Sequence, residues 1–224
     1  MRKLLFLLLF PLLLTACGST QPAQITTRGE KYGKLYEEAP VSILIMPPIN
    51  NSNNVDAKEY FYTSLAIPLI NKGYYVFSPY LMMDLFQQES AYDSELFLHG
   101  DLSSFREVVG ADAALFTVIS KWQKHSESIE TEVEYILIST HTNEVLYTHK
   151  GQLEVSTNLN TGYELIDAIG SLIKTVSTPI VEIARQCNSY VLSDLPQGKY
   201  SAAYMQDKEV QASPTIIRRF KEAD

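Results

Sequence analysis

The sequence predicts an α/β fold: a mixed sheet with a parallel βαβ core, an antiparallel hairpin and a long C-terminal packing helix. Three observations predict it. Residues 41–46 and 113–119 are near-continuous apolar runs, typical of strands covered on both faces. Residues 133–137 alternate between apolar and polar, as in a strand with one solvated face. Apolar residues recur at three- and four-residue steps from Leu165 to Cys187, which predicts one continuous helical face.

The first half of the chain alternates strands and helices. Pro47 and Pro48 end the first strand, and Asp56 with Glu59 resembles a capping box, so we expect a helix from about residue 57. Pro68 should kink or end that helix, because proline cannot donate a backbone hydrogen bond. The next elements are a short strand at 74–77, a helix at 81–88 after Ser78 and Pro79, and a short helix at 102–109 that Gly110 ends.

The second half changes to an antiparallel pattern. A turn at 142–143 joins the alternating strand to a return strand at 145–148, and residues 153–156 are a candidate extension of the hairpin. A helix from about 163 to 188, bent at Pro179, follows and packs its apolar stripe on the sheet.

These elements make one domain, over residues 40–195. A domain of this size buries about 70% of its unfolded surface, so it needs no disulfide or metal for stability. Residues 17–39 are small and polar without a clear period, and we expect them to tether the domain to a membrane. Residues 196–224 lose their periodicity towards the C-terminus and are expected to form a loose tail.

The N-terminus carries the pattern of a lipoprotein signal peptide over residues 1–16. A basic start precedes an apolar run too short to span a bilayer, and the run ends in the motif Leu14-Thr15-Ala16-Cys17, which matches the bacterial lipobox. Cys17 is then the lipid attachment site, and several acyl chains, palmitate among them, make a stable anchor. The alternative is an ordinary signal peptide with an accidental cysteine. Gly18 stands where aspartate would signal inner-membrane retention, which favours the outer membrane, facing the periplasm.

The charge and cysteine content exclude some functions. The formal charge is −8, and removal of residues 1–16, which hold two basic residues and no acidic one, takes it to −10. An acidic exported protein is a poor partner for nucleic acid, whose binding requires neutralised phosphates. Because lipidation uses Cys17, Cys187 has no intramolecular disulfide partner, and its place on the apolar helical stripe predicts a buried core residue.

The usual signatures of enzymes and metal sites are absent from the sequence. It contains no G-x-S-x-G elbow, phosphate loop, H-E-x-x-H or C-x-x-C motif, so we predict no catalysis, no metal and no cofactor apart from the covalent lipid. Four histidines lack ligand spacing and are predicted to be solvated: His99, His125, His141 and His149. Acidic residues at period two predict a solvated strand face rather than a calcium site: Glu127, Glu130, Glu132, Glu134 and Glu154.

Two groups of residues are candidate binding surfaces. A polar loop follows the first strand and precedes a helix, where open α/β sheets bind ligands, and its candidate ligand residues are Asn50, Asn51, Asn53 and Asn54. These side chains either bind a small polar ligand or only shape the turn and cap the helix. Tyrosines between residues 60 and 92 predict a protein interface, unless they are half-buried around a small sheet: Tyr60, Tyr62, Tyr74, Tyr75, Tyr80 and Tyr92.

The stretches Tyr32–Pro79, Glu89–Phe97, Gly110–Trp122 and Val133–Tyr147 resemble a family of Gram-negative lipoproteins known as domain of unknown function 799. The resemblance spans about 30–195. Members of that family are thought to lie at the outer membrane and are similar to the curli-secretion lipoprotein CsgG and to the N-terminal part of TolB. The resemblance therefore implies a CsgG/TolB-N-like α/β fold and a non-enzymatic part in envelope assembly or secretion. The only functional residue that the resemblance implies for this chain is Cys17.

We therefore expect an outer-membrane-anchored accessory protein or scaffold in envelope assembly or CsgG-like secretion. Its expected partners are the membrane, through the lipid, and an envelope protein, with a CsgG-like lipoprotein and a second copy of the chain as candidates. The alternative is a binding module for a small polar envelope ligand, such as a peptidoglycan fragment, held by the asparagine loop.

Overall fold

The computed structural model describes residues 26–126, 128–156, 180–214 and 216–219. The helices in these residues are α1 (Arg28–Lys31), α2 (Gly33–Glu38), α3 (Ala57–Ser64), α4 (Ala66–Asn71), α5 (Pro79–Gln88), α6 (Ser103–Val109) and α7 (Ile180–Val191). The strands are β1 (Ser42–Ile45), β2 (Ile49–Asn50), β3 (Tyr75–Val76), β4 (Ala113–Lys124), β5 (Ser128–Ser139), β6 (Val145–Ser156) and β7 (Ile216–Arg219). Short 3-10 helices occupy Ser94–Leu96 and Leu192–Asp194.

These strands form one mixed sheet. Its order is β3-β1-β4-β5-β6-β7, and β2 pairs with β4 beyond the end of β1. Strands β3, β1 and β4 are parallel, β4, β5 and β6 are antiparallel, and β7 is parallel to β6. The arrangement confirms the predicted α/β class, with a parallel core joined to an antiparallel hairpin.

The hairpin is longer than the sequence indicates. Strands β5 and β6 each run for 12 residues, so β6 is continuous where the sequence predicts a strand at 145–148 and a separate extension. His149 and Gly151 explain the difference, because they take core-facing positions of β6 without apolar side chains. A Cβ atom on Gly151 would lie 2.3 Å from a methyl group of Val191, so the close approach of α7 requires glycine there.

Helices cover both faces of the parallel strands. Ile43 and Ile45 point to the face covered by α3 and α7. Leu44 and Met46 point to the opposite face, where they pack with Phe86 of α5. Because alternate residues of a strand point to opposite faces, a strand without an exposed position must be covered on both sides, as its apolar run predicts.

Pro68 divides the helical connection between β2 and β3. As predicted, it interrupts the helix: α3 ends at Ser64 and α4 begins at Ala66. Pro68 has no N–H to donate to the carbonyl of Ser64, and its ring crowds that carbonyl. The break lets α3 and α4 follow the sheet in two short segments rather than one straight helix.

The predicted C-terminal helix is present as α7. Its expected earlier part, from residue 163 through the bend at Pro179, lies outside the described residues. Cys187 is fully buried in the core, as predicted, with its Sγ 3.5 Å from Oγ1 of Thr131. None of the helices in the described ranges is both long and apolar enough to cross a membrane.

The structure differs from the prediction at both ends of the domain. Residues 26–38 belong to the expected tether, yet they form α1 and α2, and α2 buries two of its side chains. Residues 196–214 belong to the expected loose tail, yet backbone hydrogen bonds join them to α1 and to the turn after α4, and residues 216–219 form β7. These segments are too short to show the periodic apolar pattern by which a sequence reveals packed elements.

A buried ionic cluster ties the two ends together. Arg28 Nε lies 3.1 Å from Asp194 Oδ1, and Arg28 Nη1 lies 3.1 Å from Asp207 Oδ2. The hydroxyl of Tyr32 donates to Asp194 at 2.7 Å, and that of Tyr36 donates to Asp207 at 3.0 Å. Burial, and then the bonds to these carboxylates, raise the pKa of both tyrosines far above the ordinary value. Each carboxylate also accepts a backbone N–H, so the cluster is closely satisfied.

We expect Arg28→Ala to lower the free energy of unfolding by about 3–5 kcal/mol, because it leaves two buried carboxylates without their shared cation. Chemical denaturation of the purified protein measures the change. Lys34→Ala is the matched control: Lys34 pairs with Glu144 at the exposed surface, where an ion pair contributes about 0–1 kcal/mol. Equal effects of the two substitutions would show that the cluster contributes no more than a surface pair.

Candidate functional site

A cleft lies where the helices after two neighbouring strands leave the sheet on opposite sides. Strands β1 and β3 are parallel neighbours. Helix α3, which follows β1 and β2, packs on one face of the sheet, and α5, which follows β3, packs on the other. In open α/β sheets the crevice at the carboxyl ends of such strands is the usual ligand site. The cleft between α3 and α5 therefore occupies the position at which this architecture commonly binds.

The cleft has a volume of about 460 Å³ and two helical walls. Its lining residues recur at steps of three or four along each helix, so one stripe of each helix faces the other. They are Lys58, Glu59, Tyr62, Thr63 and Ala66 on one wall, and Ser78, Pro79, Tyr80, Met83, Gln87 and Tyr92 on the other. The walls are mainly apolar and aromatic, with one lysine and one glutamate.

Two contacts shape the cleft. The hydroxyl of Tyr62 donates to the carbonyl oxygen of Pro79 at 2.8 Å, which ties α3 to the start of α5. Burial raises the pKa of Tyr62, so this phenol stays neutral at physiological pH. Lys58 Nζ lies 3.7 Å from the ring centre of Tyr92, a cation–π contact. Tyr80 stands at the rim with 84% of its surface exposed, available to a partner.

The structure separates the tyrosines that lie close together in the sequence. The cleft takes three of them, Tyr62, Tyr80 and Tyr92. Tyr60 packs against Trp122, with ring centres 5.9 Å apart, and Tyr75 is exposed on the edge strand β3. The prediction that Tyr74 belongs to an interface is wrong. Tyr74 is buried, and its hydroxyl donates to the carbonyl oxygen of Pro196 at 3.0 Å. Tyr74 is therefore a core residue.

Sequence reasoning missed Lys58 and Met83. The signal for them was present, because Lys58, Tyr62 and Ala66 recur at four-residue steps and Tyr80, Met83 and Gln87 at three- and four-residue steps. Such spacing shows that residues share a helix face. It does not show that the two faces meet, which depends on α3 and α5 leaving the sheet on opposite sides.

The asparagine loop is held together by its own side chains. Asn50 Nδ2 donates to the carbonyl oxygen of Asn54 at 2.7 Å, and Asn50 Oδ1 accepts hydrogen bonds from Ser52. Asn54 Oδ1 accepts from the backbone N–H of Ala57 at 3.1 Å and so caps α3, in place of the predicted capping box. The other two, Asn51 and Asn53, are exposed. These bonds favour the turn-and-cap interpretation of the loop over a ligand site.

The acidic face lies on the hairpin, and its carboxylates pair with lysines. Glu130 lies 2.7 Å from Lys121, and Glu132 pairs with Lys150. These hydrogen bonds lower the pKa of both carboxyls. Hydroxyl groups donate to the next two members, Glu134 and Glu154, whereas Glu127 lies outside the described residues. Across the described ranges, no three His, Cys, Asp or Glu side chains are grouped to hold a metal ion.

His149 does not match its prediction as a solvated residue. It is fully buried, with Nε2 2.5 Å from the carbonyl oxygen of Pro214 and Nδ1 2.9 Å from the hydroxyl of Tyr147. Burial lowers the pKa of His149, the positive charge of Lys31 lowers it further, and the hydrogen bond to Pro214 and the charge of Asp194 oppose the shift. The other three are exposed, as predicted: His99, His125 and His141.

Comparison with known proteins relates the chain to lipoproteins. A family model described as "Putative lipoprotein GNA1162-like" matches residues 30–202. A curated protein of Neisseria meningitidis serogroup B, "Putative lipoprotein NMB1124/NMB1162", is 24% identical over 154 residues, which cover 66% of this chain and 69% of that protein.

Two solved structures match the chain to different degrees. The crystal structure of lipoprotein GNA1162 from Neisseria meningitidis matches with a TM-score of 0.50 and 22% identity, covering 60% of this chain and 96% of that chain. The C-terminal domain of LpoB from Salmonella enterica matches with a TM-score of 0.38 and 19% identity, covering 54% of this chain and 93% of that domain. The likeness to CsgG and to the N-terminal part of TolB rests on the sequence and stays a prediction.

We expect the free energy of unfolding to fall as the pH drops below about 6.5, with His149 as one cause. The unfolded imidazole takes up a proton near its ordinary pKa of 6.5, whereas the folded state resists protonation because its pKa is lower. The unfolded state then binds more protons, so acid lowers stability between 6.5 and the folded pKa.

Urea unfolding at a series of pH values between about 7.5 and 5 measures this dependence. His149→Gln should flatten it, whereas His99→Gln, at an exposed position, should keep the wild-type slope. Parallel slopes for wild type and His149→Gln would contradict the assignment.

Proposed function

This chain belongs to the GNA1162-like putative lipoprotein family, and from that premise we propose that it is an outer-membrane-anchored lipoprotein that acts as a non-catalytic adaptor in envelope assembly or CsgG-like secretion. The tyrosine-lined cleft between α3 and α5 is the observation that carries the adaptor role. A partner protein docks there, while the lipid holds the domain at the membrane.

The lipobox supports the anchor. Cys17 carries the lipid, which is the only covalent modification that the proposed function requires. Gly18 in the sorting position favours the outer membrane, and the domain faces the periplasm in this proposal. Helix α1 begins at Arg28, which leaves about ten residues between the lipid and the fold, enough for about 35 Å of extended chain. The domain therefore works close to the membrane surface.

The composition of the cleft supports docking rather than catalysis. Aromatic side chains with a polar tip are enriched where proteins meet, because they bury a large area with little loss of freedom. Three buried titratable groups, those of Asp194, Asp207 and His149, bond to the protein itself and lie outside the cleft. Each of them has a structural partner, so none is poised to act on a substrate.

The expected partner is an envelope protein, with a CsgG-like lipoprotein as the candidate that the sequence resemblance implies. A second copy of the chain is the other candidate. Binding of a small polar ligand, such as a peptidoglycan fragment, by the asparagine loop finds less support, because Asn50 and Asn54 already bond within the loop.

We expect Cys17→Ser to release the protein from membranes, because the substitution removes the thiol that carries the lipid. Fractionation of cell envelopes, followed by extraction with high salt, measures the membrane-bound share. Cys187→Ala is the matched control, since it removes the buried thiol and leaves the lipobox intact. Membrane retention of the Cys17→Ser chain would contradict the anchor.

We expect Tyr80→Ala combined with Met83→Ala to weaken partner binding by about 30-fold or more, as for the loss of an aromatic hot spot. Cross-linking in intact envelopes, pull-down and mass spectrometry identify and quantify the partner. Tyr200→Ala combined with Leu96→Ala is the control, because these residues are 69% and 71% exposed and lie outside the cleft. Recovery of no envelope partner by the wild type, or equal recovery by the double variant, would count against the adaptor role.

A further inference from the structure

Lys58 brings a positive charge to the cleft. No ion pair in the described part of the chain includes its ammonium group. Its Nζ lies instead 3.7 Å from the ring centre of Tyr92. A cation–π contact holds an ammonium group in place but leaves N–H donors directed away from the ring. The charge is therefore positioned and still able to pair with an anion.

The apolar surface of the cleft lies next to this ammonium. Tyr62 is one helical turn from Lys58 on α3, and Tyr80 and Met83 belong to the opposite wall. One turn rises about 5 Å, so the apolar surface begins about 5 Å along the cleft from the lysine. Adjacent side chains of an extended polypeptide point to opposite sides, so one can reach the ammonium of Lys58 on α3 while its neighbour packs towards α5.

We infer that the cleft binds a partner polypeptide segment in which a carboxylate and an apolar side chain are neighbours. The carboxylate pairs with Lys58, and the apolar side chain packs among Tyr62, Tyr80 and Met83. This inference rests on the proposed adaptor function and specifies the chemistry of the docked segment.

Charge complementarity supports this occupant. The chain has a net charge of −8, and Glu59 lies at the cleft beside Lys58 in the sequence, so a polyanion would be repelled. A segment with a single carboxylate meets the one cation of the cleft and keeps its remaining contacts apolar. A wholly apolar segment would instead cover the ammonium and leave it without an anion.

The test uses two peptides that differ by one charge, N-acetyl-Phe-Asp-amide and N-acetyl-Phe-Asn-amide, and the mature lipoprotein in detergent micelles. We expect the wild type to bind the aspartate peptide about three- to tenfold more tightly in ligand-observed NMR titrations. Lys58→Met should abolish this preference, and Lys58→Arg should retain it. Lys124→Met, at an exposed lysine of β4, is the matched control and should keep the wild-type preference.

Equal affinity of the two peptides for the wild type would overturn the inference, as would a preference that survives in Lys58→Met. Failure of both peptides to bind the wild type would overturn it too. Each of these results leaves the adaptor function standing, because loss of envelope cross-linking in the cleft double variant tests that function without reference to the charge of the segment.

Discussion

Strand β4 imposes the constraint on which the rest of the structure depends. Its residues 113–117 are fully buried, so helices must cover both faces of the sheet beside it. The chain meets this requirement by placing α3 and α7 on one face and α5 and α6 on the other. The later part of β4 extends past its parallel neighbours and pairs with β5 alone. There one face turns to solvent, and charged pairs such as Lys121 with Glu130 replace the apolar packing.

The cleft is a consequence of this two-sided cover. Since α3 and α5 follow adjacent strands and pack on opposite faces, their facing stripes diverge and leave a space at the edge of the sheet. The hydrogen bond from Tyr62 to Pro79 joins the walls at one point, and the cation–π pair of Lys58 and Tyr92 occupies another. The asparagine loop leads into α3 and supplies its cap, so its polar groups support the wall instead of lining the cleft.

The ionic cluster at Arg28 closes the fold at its ends. The planar guanidinium bridges two carboxylates with different nitrogen atoms, which the single ammonium of a lysine could not do with the same geometry. Arg28 begins the first helix after the segment that leads to Cys17, and Asp194 and Asp207 belong to the C-terminal part of the domain. Force on the segment that precedes Arg28 is therefore passed to the domain through a buried contact.

Several elements were predictable because their signals are local. The apolar run of β1, the break at Pro68 and the stripe that buries Cys187 each depend on residues a few positions apart, and the structure places all three as expected. The length of β6 was not predictable from alternation, because His149 and Gly151 take core-facing positions. His149 bonds there to the carbonyl oxygen of Pro214, and Gly151 makes room for Val191. The burial of Tyr74 was not predictable either, because its sequence neighbourhood suggested a surface interface.

The sequence by itself determined the α/β class and the order of strands and helices, and it predicted the lipid anchor. Hydrophobic periodicity and the lipobox depend on residues that are close together in the sequence, so both can be recognised without knowledge of the fold. Only the tertiary structure decided the cleft, the ionic cluster and the burial of His149. Each of these features brings together groups that are distant in the chain; Arg28 and Asp194, for example, are 166 residues apart. Whether such groups come into contact depends on which face of the sheet each helix covers.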